Sequence, residues 1–279
     1  MKDSYFAHDP TVRIFAFPNS LRATPNRISF SRGTITVSQS CPLSNSYADG
    51  SIVPHSESLS LNSENEISCW GERWENRDVS IGILRLYDHD LICSLQLQLD
   101  KLHYQQSISG FDFKDPFLRE LLARIGDVCD SNGPYHYHRI SDDMAGQETV
   151  SVDPATGKFV GLHIDAWDQL PEAPTSIFAN RLCINLGPQD RTFLFVSQSL
   201  DGMQNMLGIS TNRVLRMTKP EIGRLFLTTF PDYPVTKLMV LPGEAYIAPT
   251  GLVLHDASTK GAATRVKHAA FRGHFDLKG

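Results

Sequence analysis

Leu241-Pro-Gly-Glu-Ala-Tyr-Ile-Ala-Pro249, continued by Thr250-Gly-Leu-Val-Leu-His255-Asp256, decides how this chain folds. Pro242-Gly243-Glu244 is a turn, since proline presets a negative φ and glycine accepts a positive one. Ala245 to Ala248 and Leu252 to Leu254 are short apolar runs bounded by turn residues, the pattern of buried strands. The same pattern recurs on both sides: Tyr135 to Ile140, Arg181 to Leu186, Phe193 to Val196, Lys237 to Leu241 and Arg265 to Phe275. Strands in such number, with few helices between them, predict a mainly β fold with flanking helices, its antiparallel sheets folded into a jelly roll or barrel. A helix over Lys219 to Phe230 interrupts the series.

Upstream, Val12 to Phe17 and Gly33 to Val37 have the β-branched and aromatic content of strands. The Ser/Asn-rich stretch from Ser38 to Ser68 reads as long loops with short strands. Between Ser80 and Gln106, Leu95, Leu97 and Leu99 alternate like a strand, while Ile92, Leu95, Leu99 and Leu102 fit one helical face; the second half is read as helix. Asp115-Pro116 opens a clearer helix, carrying Leu118, Leu121, Leu122 and Ile125 at helical spacing, and Asn132-Gly133-Pro134 ends it.

The 279 residues are 41% hydrophobic, enough for a real core. The formal net charge is -5 and no run of Lys or Arg appears, so no nucleic-acid footprint is expected and a small-molecule or peptide partner is. Cys41, Cys69, Cys93, Cys129 and Cys183 are odd in number and form no Cys-x-x-Cys pair, against both a disulfide framework and a structural zinc site. Reduced thiols, with no signal-peptide core and no long apolar span, predict a cytoplasmic protein with no membrane partner.

The chemistry lies in His163-Ile-Asp165 and in His255. Two imidazoles and one carboxylate can occupy one face of an iron(II) ion and leave the other positions open. The two-residue repeat of a strand places His163 and Asp165 on one face and Ile164 on the other. Spacing alone carries little weight, because 10 His and 31 acidic residues in 279 produce roughly one His-x-Asp/Glu match by chance. His274-Phe-Asp276 and His55-Ser-Glu57 match as well, but His274 has no later histidine and His55 sits in a polar, Ser-rich stretch. An isolated strand histidine is more often a hydrogen-bonded structural residue than a ligand. It is the order of the set that favours a metal centre.

With these residues in view, the chain resembles the iron(II)/2-oxoglutarate-dependent dioxygenases, which carry H-x-D…H and a later arginine on a double-stranded β-helix. The matching stretches are His163-Ile-Asp165, Asn180-Arg-Leu-Cys-Ile-Asn-Leu-Gly187, Leu241 to Pro249 leading to His255, and Arg265. They cover residues 135 to 275. The resemblance implies one oxygenase domain over 1–279: strands and helices of 1–134 support a jelly-roll core over 135–275, and an insertion near 201–230 covers the active site. It implies Fe(II) on His163, Asp165 and His255, with 2-oxoglutarate and O2 as cosubstrates, and hydroxylation of an unactivated C–H bond of a small molecule (an amino acid, peptide or natural-product intermediate) in biosynthesis. It implies too that a basic residue on the strand after His255 grips the distal carboxylate of 2-oxoglutarate, a task suited to the planar guanidinium of arginine. Arg265, ten positions after His255, is preferred and Arg272 is the competitor; Asn185 joins them as a candidate on the cosubstrate side. Where many relatives have a serine two residues after the arginine, this chain has Lys267.

Several neighbours have two readings. Asp256 either orients an imidazole or is a turn residue. Trp167 and Asp168 line a substrate pocket, or are a buried Trp and a loop Asp. His136 and His138 alternate with Tyr135 and Tyr137, so either pair faces the cavity, or the strand is structural with one wet face. The competing class for the whole chain is a cupin-like metal-dependent isomerase or a metabolite-binding jelly roll, which has no need of the arginine.

Overall fold

Strand alternation sorts the apolar side chains of this protein into three layers. The computed structural model describes residues 11–38, 45–59, 69–71, 74, 80–94, 116–131, 136–165, 180–209 and 216–278. One sheet has six strands in the order β1 (Arg13–Phe17), β6 (Ser80–Arg85), β13 (Glu244–Ala248), β10 (Asn180–Asn185), β15 (Val266–Gly273) and β8 (His136–Asp143). A second has five: β14 (Val253–Ser258), β11 (Arg191–Ser199), β12 (Val235–Val240), β2 (Ile28–Ser31) and β5 (Ser58–Leu59). From β10 onward the chain passes repeatedly between the sheets, with β10, β13 and β15 in the first and β11, β12 and β14 in the second. Every pairing among these six strands is antiparallel. This is a double-stranded β-helix.

The 1–134 half adds β1 and β6 to one sheet and β2 and β5 to the other. A side sheet joins β3 (Thr34–Thr36), β4 (Tyr47–Pro54) and β9 (Phe159–Gly161), and β7 (Cys129–Ser131) pairs with β16 (Phe275–Leu277). Leu182 and Ile184 of β10 and Ala269 and Phe271 of β15 face outward, where they bury Phe117, Leu121 and Ile125 of helix α1 (Pro116–Val128). Cys183 and Tyr246 face inward and meet Phe193, Phe195 and Val253 of the opposite sheet. Each buried large side chain is worth about 1.5–3 kcal/mol relative to exposure, so a register slip that reversed the faces is strongly disfavoured.

On the far side, Leu194, Val196 and Leu254 pack against α2 (Leu200–Leu207) and α3 (Lys219–Thr229) through Met203, Ile222, Phe226 and Leu227. Thr218 caps α3 in a reciprocal box with Glu221. In their described part, residues 201–209 and 216–230, where the covering insertion was expected, back the outer face of the second sheet; residues 210–215 lie outside the described set. The reason is the apolar stripe of α3, which has to be buried and finds the outward residues of β11 and β14.

The turn predicted at Pro242-Gly243 is pinned by charge and by close approach. Glu244, fully buried, meets Arg27 Nη1 at 2.5 Å and Arg85 Nη2 at 3.0 Å, and accepts the Leu241 amide at 2.9 Å. Gly243 has φ +82°, and a Cβ there would stand 2.2 Å from the Tyr87 carbonyl oxygen, so glycine is required twice over. Residues 89–94 are helical; the helix expected in the second half of Ser80 to Gln106 falls almost wholly on residues 95–106, which lie outside the described set, as do residues 107–115. Cys69, Cys93, Cys129 and Cys183 are free thiols. Among the described residues, no helix is long and apolar enough to cross a membrane.

Candidate metal centre

The site is built where β14 meets the segment that follows β9. Gly161, with φ +74°, turns the chain at the end of β9; a Cβ there would stand 2.4 Å from the Ile52 carbonyl oxygen. Two residues on, His163 and His255 exchange backbone hydrogen bonds, the His163 amide donating to the His255 carbonyl at 3.1 Å and the reverse at 2.8 Å. The Asp165 amide donates to the Thr250 carbonyl at 3.0 Å. The ligand tripeptide is therefore held by one isolated bridge and a loop contact, not by the regular strand the spacing suggested. The alternation survives: Ile164 is buried in the outer cluster with α3, while His163 and Asp165 face inward.

Both imidazoles are oriented through the same contact. His163 Nδ1 lies 2.9 Å from the Gly161 carbonyl and His255 Nδ1 lies 3.1 Å from the Val253 carbonyl. A carbonyl only accepts, so each Nδ1 carries the hydrogen and each Nε2 presents its lone pair to the site. His255 Nε2 is buried and makes no hydrogen bond, a position that costs free energy unless something is bound there. Asp165 Oδ1 is 3.7 Å from His163 Nε2, and Oδ2 is 3.8 Å from His255 Nε2. All three ligand atoms fall within 4.8 Å of one another, and no other set of three among the described residues does so. Adjacent ligands on an ion with bonds near 2.1 Å stand roughly 3 Å apart, so the triad closes on a divalent metal with shifts of under about 1 Å. A nitrogen–nitrogen–carboxylate set on one face is the donor chemistry of a non-haem iron(II) site, and the residues fit the ion.

Electrostatics support the same protonation states. Burial lowers the His255 pKa to about 3; His163 and Arg181 push the same way against Asp165, so the ring is neutral at neutral pH. Burial raises the Asp165 pKa, but its interactions with His255, Arg181 and His163 outweigh this and hold the carboxyl below its ordinary value. Neutral imidazole and ionised carboxylate are the forms that bind metal.

Arg181 is the site residue that sequence reasoning missed. It is the second residue of β10, faces inward with Cys183, and places Nη2 3.0 Å from Asp165 Oδ2, though without the alignment of a hydrogen bond. It lay inside a quoted motif, but no local signal aims it at a carboxylate whose neighbours come from another part of the fold.

Of the expected cosubstrate residues, Arg265 is exposed and lies before β15, in the connection from β14. Arg272 is half-buried on β15 and stands opposite Arg181 in register, hence on the inward face. The Asn185 amide is committed to the backbone: its Nδ2 donates to the Gln189 and Val240 carbonyls at 2.8 and 2.9 Å, and its Oδ1 accepts the Gly187 amide at 3.1 Å. It braces the β10–β11 turn at the far end of the strand. Lys267 is buried and ion-paired with Asp142 at 3.1 Å.

Asp256 lies behind the site. Its Oδ1 accepts the amides of Val150, Ser151 and Ala257 and the Ser151 hydroxyl, and its Oδ2 is 3.7 Å from His163 Nδ1. It tethers the segment beside His163 and is no turn residue. His136 and His138 are on β8, with His136 opposite Arg272 in register; their side chains lie outside the described set. Trp167 and Asp168 also lie outside the described residues.

Among solved structures the chain is similar in fold to the Kdo hydroxylase KdoO. That protein is described as a non-heme Fe(II) alphaketoglutarate dependent dioxygenase; its apo structure matches at 16% identity over 71% of this chain and 80% of that one, with a TM-score of 0.38. Its cobalt(II) complex matches at 18% identity, covering 56% and 57% of the two chains, with a TM-score of 0.31. The complex with alphaketoglutarate and Fe(III) gives 17%, 56%, 58% and 0.32. No protein-family model and no curated protein matches the chain.

Proposed function

We propose that this protein is a non-haem iron(II)- and 2-oxoglutarate-dependent oxygenase that hydroxylates an unactivated C–H bond of a small molecule. The observation that carries the reading is the buried, unbonded Nε2 of His255, aimed with His163 Nε2 and the Asp165 carboxylate at one point inside a double-stranded β-helix. When bound, iron(II) with 2-oxoglutarate and O2 supplies the oxidising chemistry.

The chain's own residues do the rest. Gly161 and Val253 fix the tautomer and rotation of the two imidazoles, so that the lone pairs converge without prior rearrangement. His163, Asp165 and His255 would hold the metal from one side and leave its other side for cosubstrate and oxygen. Phe193, whose ring centroid is 6.2 Å from that of His255, stacks on Tyr246 and keeps the inner side of the site apolar and dry. Arg272 is the cation proposed to grip the distal carboxylate of 2-oxoglutarate, in place of Arg265. Its inward register beside Arg181 supports this role, and the exposure of Arg265 ahead of the strand does not suit it.

The test is anaerobic reconstitution with iron(II) and 2-oxoglutarate, read by the weak visible charge-transfer band of the chelate. The band is expected in the intact protein and absent in His255→Ala. Its absence from the intact protein, with a normal band in a control enzyme, would overturn the reading. Succinate release across a substrate panel then identifies the substrate.

A further inference from the structure

Arg181 places Nη2 3.0 Å from Oδ2 of the Asp165 carboxylate. We infer that Arg181 is a positioning residue that keeps the Asp165 carboxylate a single-oxygen ligand, and so keeps a coordination position open for oxygen. The inference rests on the metal-site reading above and assigns a role within it.

The geometry is specific. Oδ2 stands 3.0 Å from Arg181 Nη2 and 3.8 Å from His255 Nε2, while Oδ1 is 3.7 Å from His163 Nε2. Asp165 and Arg181 are both largely buried, with 8% and 14% side-chain exposure, so their attraction is only weakly screened by water. Arg181 is in turn held by the sheet. It sits between Ala248 of β13 and Arg272 of β15, paired to both, so its Cα cannot drift without breaking two ladders. The carboxylate is on a loop-like segment tied to Thr250 by one amide contact and by a bond from the Thr250 side chain to the carboxylate. The rigid partner is therefore the arginine, and the carboxylate is the group being positioned.

The consequence follows from counting positions. A metal held by the triad would need its remaining positions for a chelating oxo acid and for oxygen. Carboxylates bind metals through one oxygen or two. If Asp165 swung to two-oxygen binding it would compete for the open face. A cation fixed on Oδ2 opposes that swing, because the second metal bond could form only by giving up the ion pair. The cost is a charge beside the metal, which the carboxylate offsets.

The experiment compares the wild-type chain with Arg181→Met, Arg181→Gln and Arg181→Lys. Cobalt(II) serves as the probe metal, without and then with 2-oxoglutarate, and visible absorption and calorimetry are the readouts. Circular dichroism and thermal melts check the fold of each variant. In Arg181→Met the expected results are a changed cobalt(II) ligand-field spectrum and 2-oxoglutarate binding to the metal form weakened by about 10–100-fold, the usual scale for loss of a residue that orients a ligand. Arg181→Lys restores part of both, because it returns the charge without the planar fork. Unchanged spectra and unchanged 2-oxoglutarate affinity in folded Arg181→Met or Arg181→Gln would overturn the inference. If Arg181→Met does not fold, the comparison of Arg181→Gln with wild type decides: an identical spectrum and affinity overturns it, a shifted pair supports it. Failure of wild type to bind cobalt(II) at all would instead strike the oxygenase reading, so the two failures are distinct.

Discussion

His163 and His255 pair across the sheet edge through two reciprocal backbone hydrogen bonds, and their ring centroids lie 4.6 Å apart. This bridge joins the ligand tripeptide to the second sheet, so two ligands far apart in sequence share one rigid mount. Metal binding and local folding are consequently coupled, and the first expectation concerns stability. A divalent metal at a hundred times its Kd should stabilise the protein by about 2.7 kcal/mol. Differential scanning calorimetry should show a rise in Tm with cobalt(II) or iron(II) under anaerobic conditions. His255→Ala and Asp165→Ala should abolish the rise; a rise retained in both would place the metal elsewhere.

Acid should weaken the metal-free protein through His255. Its pKa is lowered by burial to about 3 in the folded chain, against 6.5 when unfolded. As pH falls below 6.5 the unfolded chain takes up a proton that the folded chain refuses, so stability declines from there down toward pH 3. Urea titrations between pH 7 and pH 4 should show this slope, and His255→Gln should flatten it. An equal slope in the variant would assign the effect to other groups.

Two arginines separate the candidate cosubstrate sites. Arg272→Ala should weaken 2-oxoglutarate binding to the metal form by at least about tenfold, since a charge-assisted pair of hydrogen bonds is worth roughly 1.5–3 kcal/mol. Arg265→Ala should leave that affinity within about twofold, consistent with an exposed side chain. Calorimetric titration measures both, and the reverse pattern would return the role to Arg265.

Behind the site, Arg191 of β11 is buried with Asp143 of β8 and with His268 of β15 at 2.6 Å, tying the two sheets together. Burial alone would raise the Asp143 pKa, but the charges of Arg191 and then His268 hold it well below the ordinary carboxylate range. With a depressed folded pKa, its contribution is present above the unfolded value of about 3.9 and lost as pH falls below it. Asp143→Asn should cost about 3–5 kcal/mol at neutral pH, because it leaves a buried guanidinium without its counter-charge. Chemical denaturation checks the figure. Adding Arg191→Met to Asp143→Leu should recover part of the loss.

The amino-acid sequence by itself determined the strands and the three residues of the candidate metal centre. Alternation placed Leu182 and Ile184 on one face and Cys183 on the other, and in the folded chain those faces meet α1 and the opposite sheet respectively. His163, Asp165 and His255 were legible because a two-residue repeat and a turn-bounded strand are local properties, set by backbone sterics and side-chain type. Three things were decided only by tertiary structure. Ten residues after His255 is a count along the chain, but residues 259–265 are spent in the connection from β14, so Arg265 falls outside the strand and Arg272 takes the inward register. The helical stretch near 201–230 was visible as α3, yet its resting place depends on where Leu194, Val196 and Leu254 leave an apolar face to cover. Arg181 reaches Asp165 because β10 lies between β13 and β15, a neighbourhood fixed by pairing between distant segments. Local patterns report what each segment prefers; which charges face one another depends on the order of the strands in the sheet.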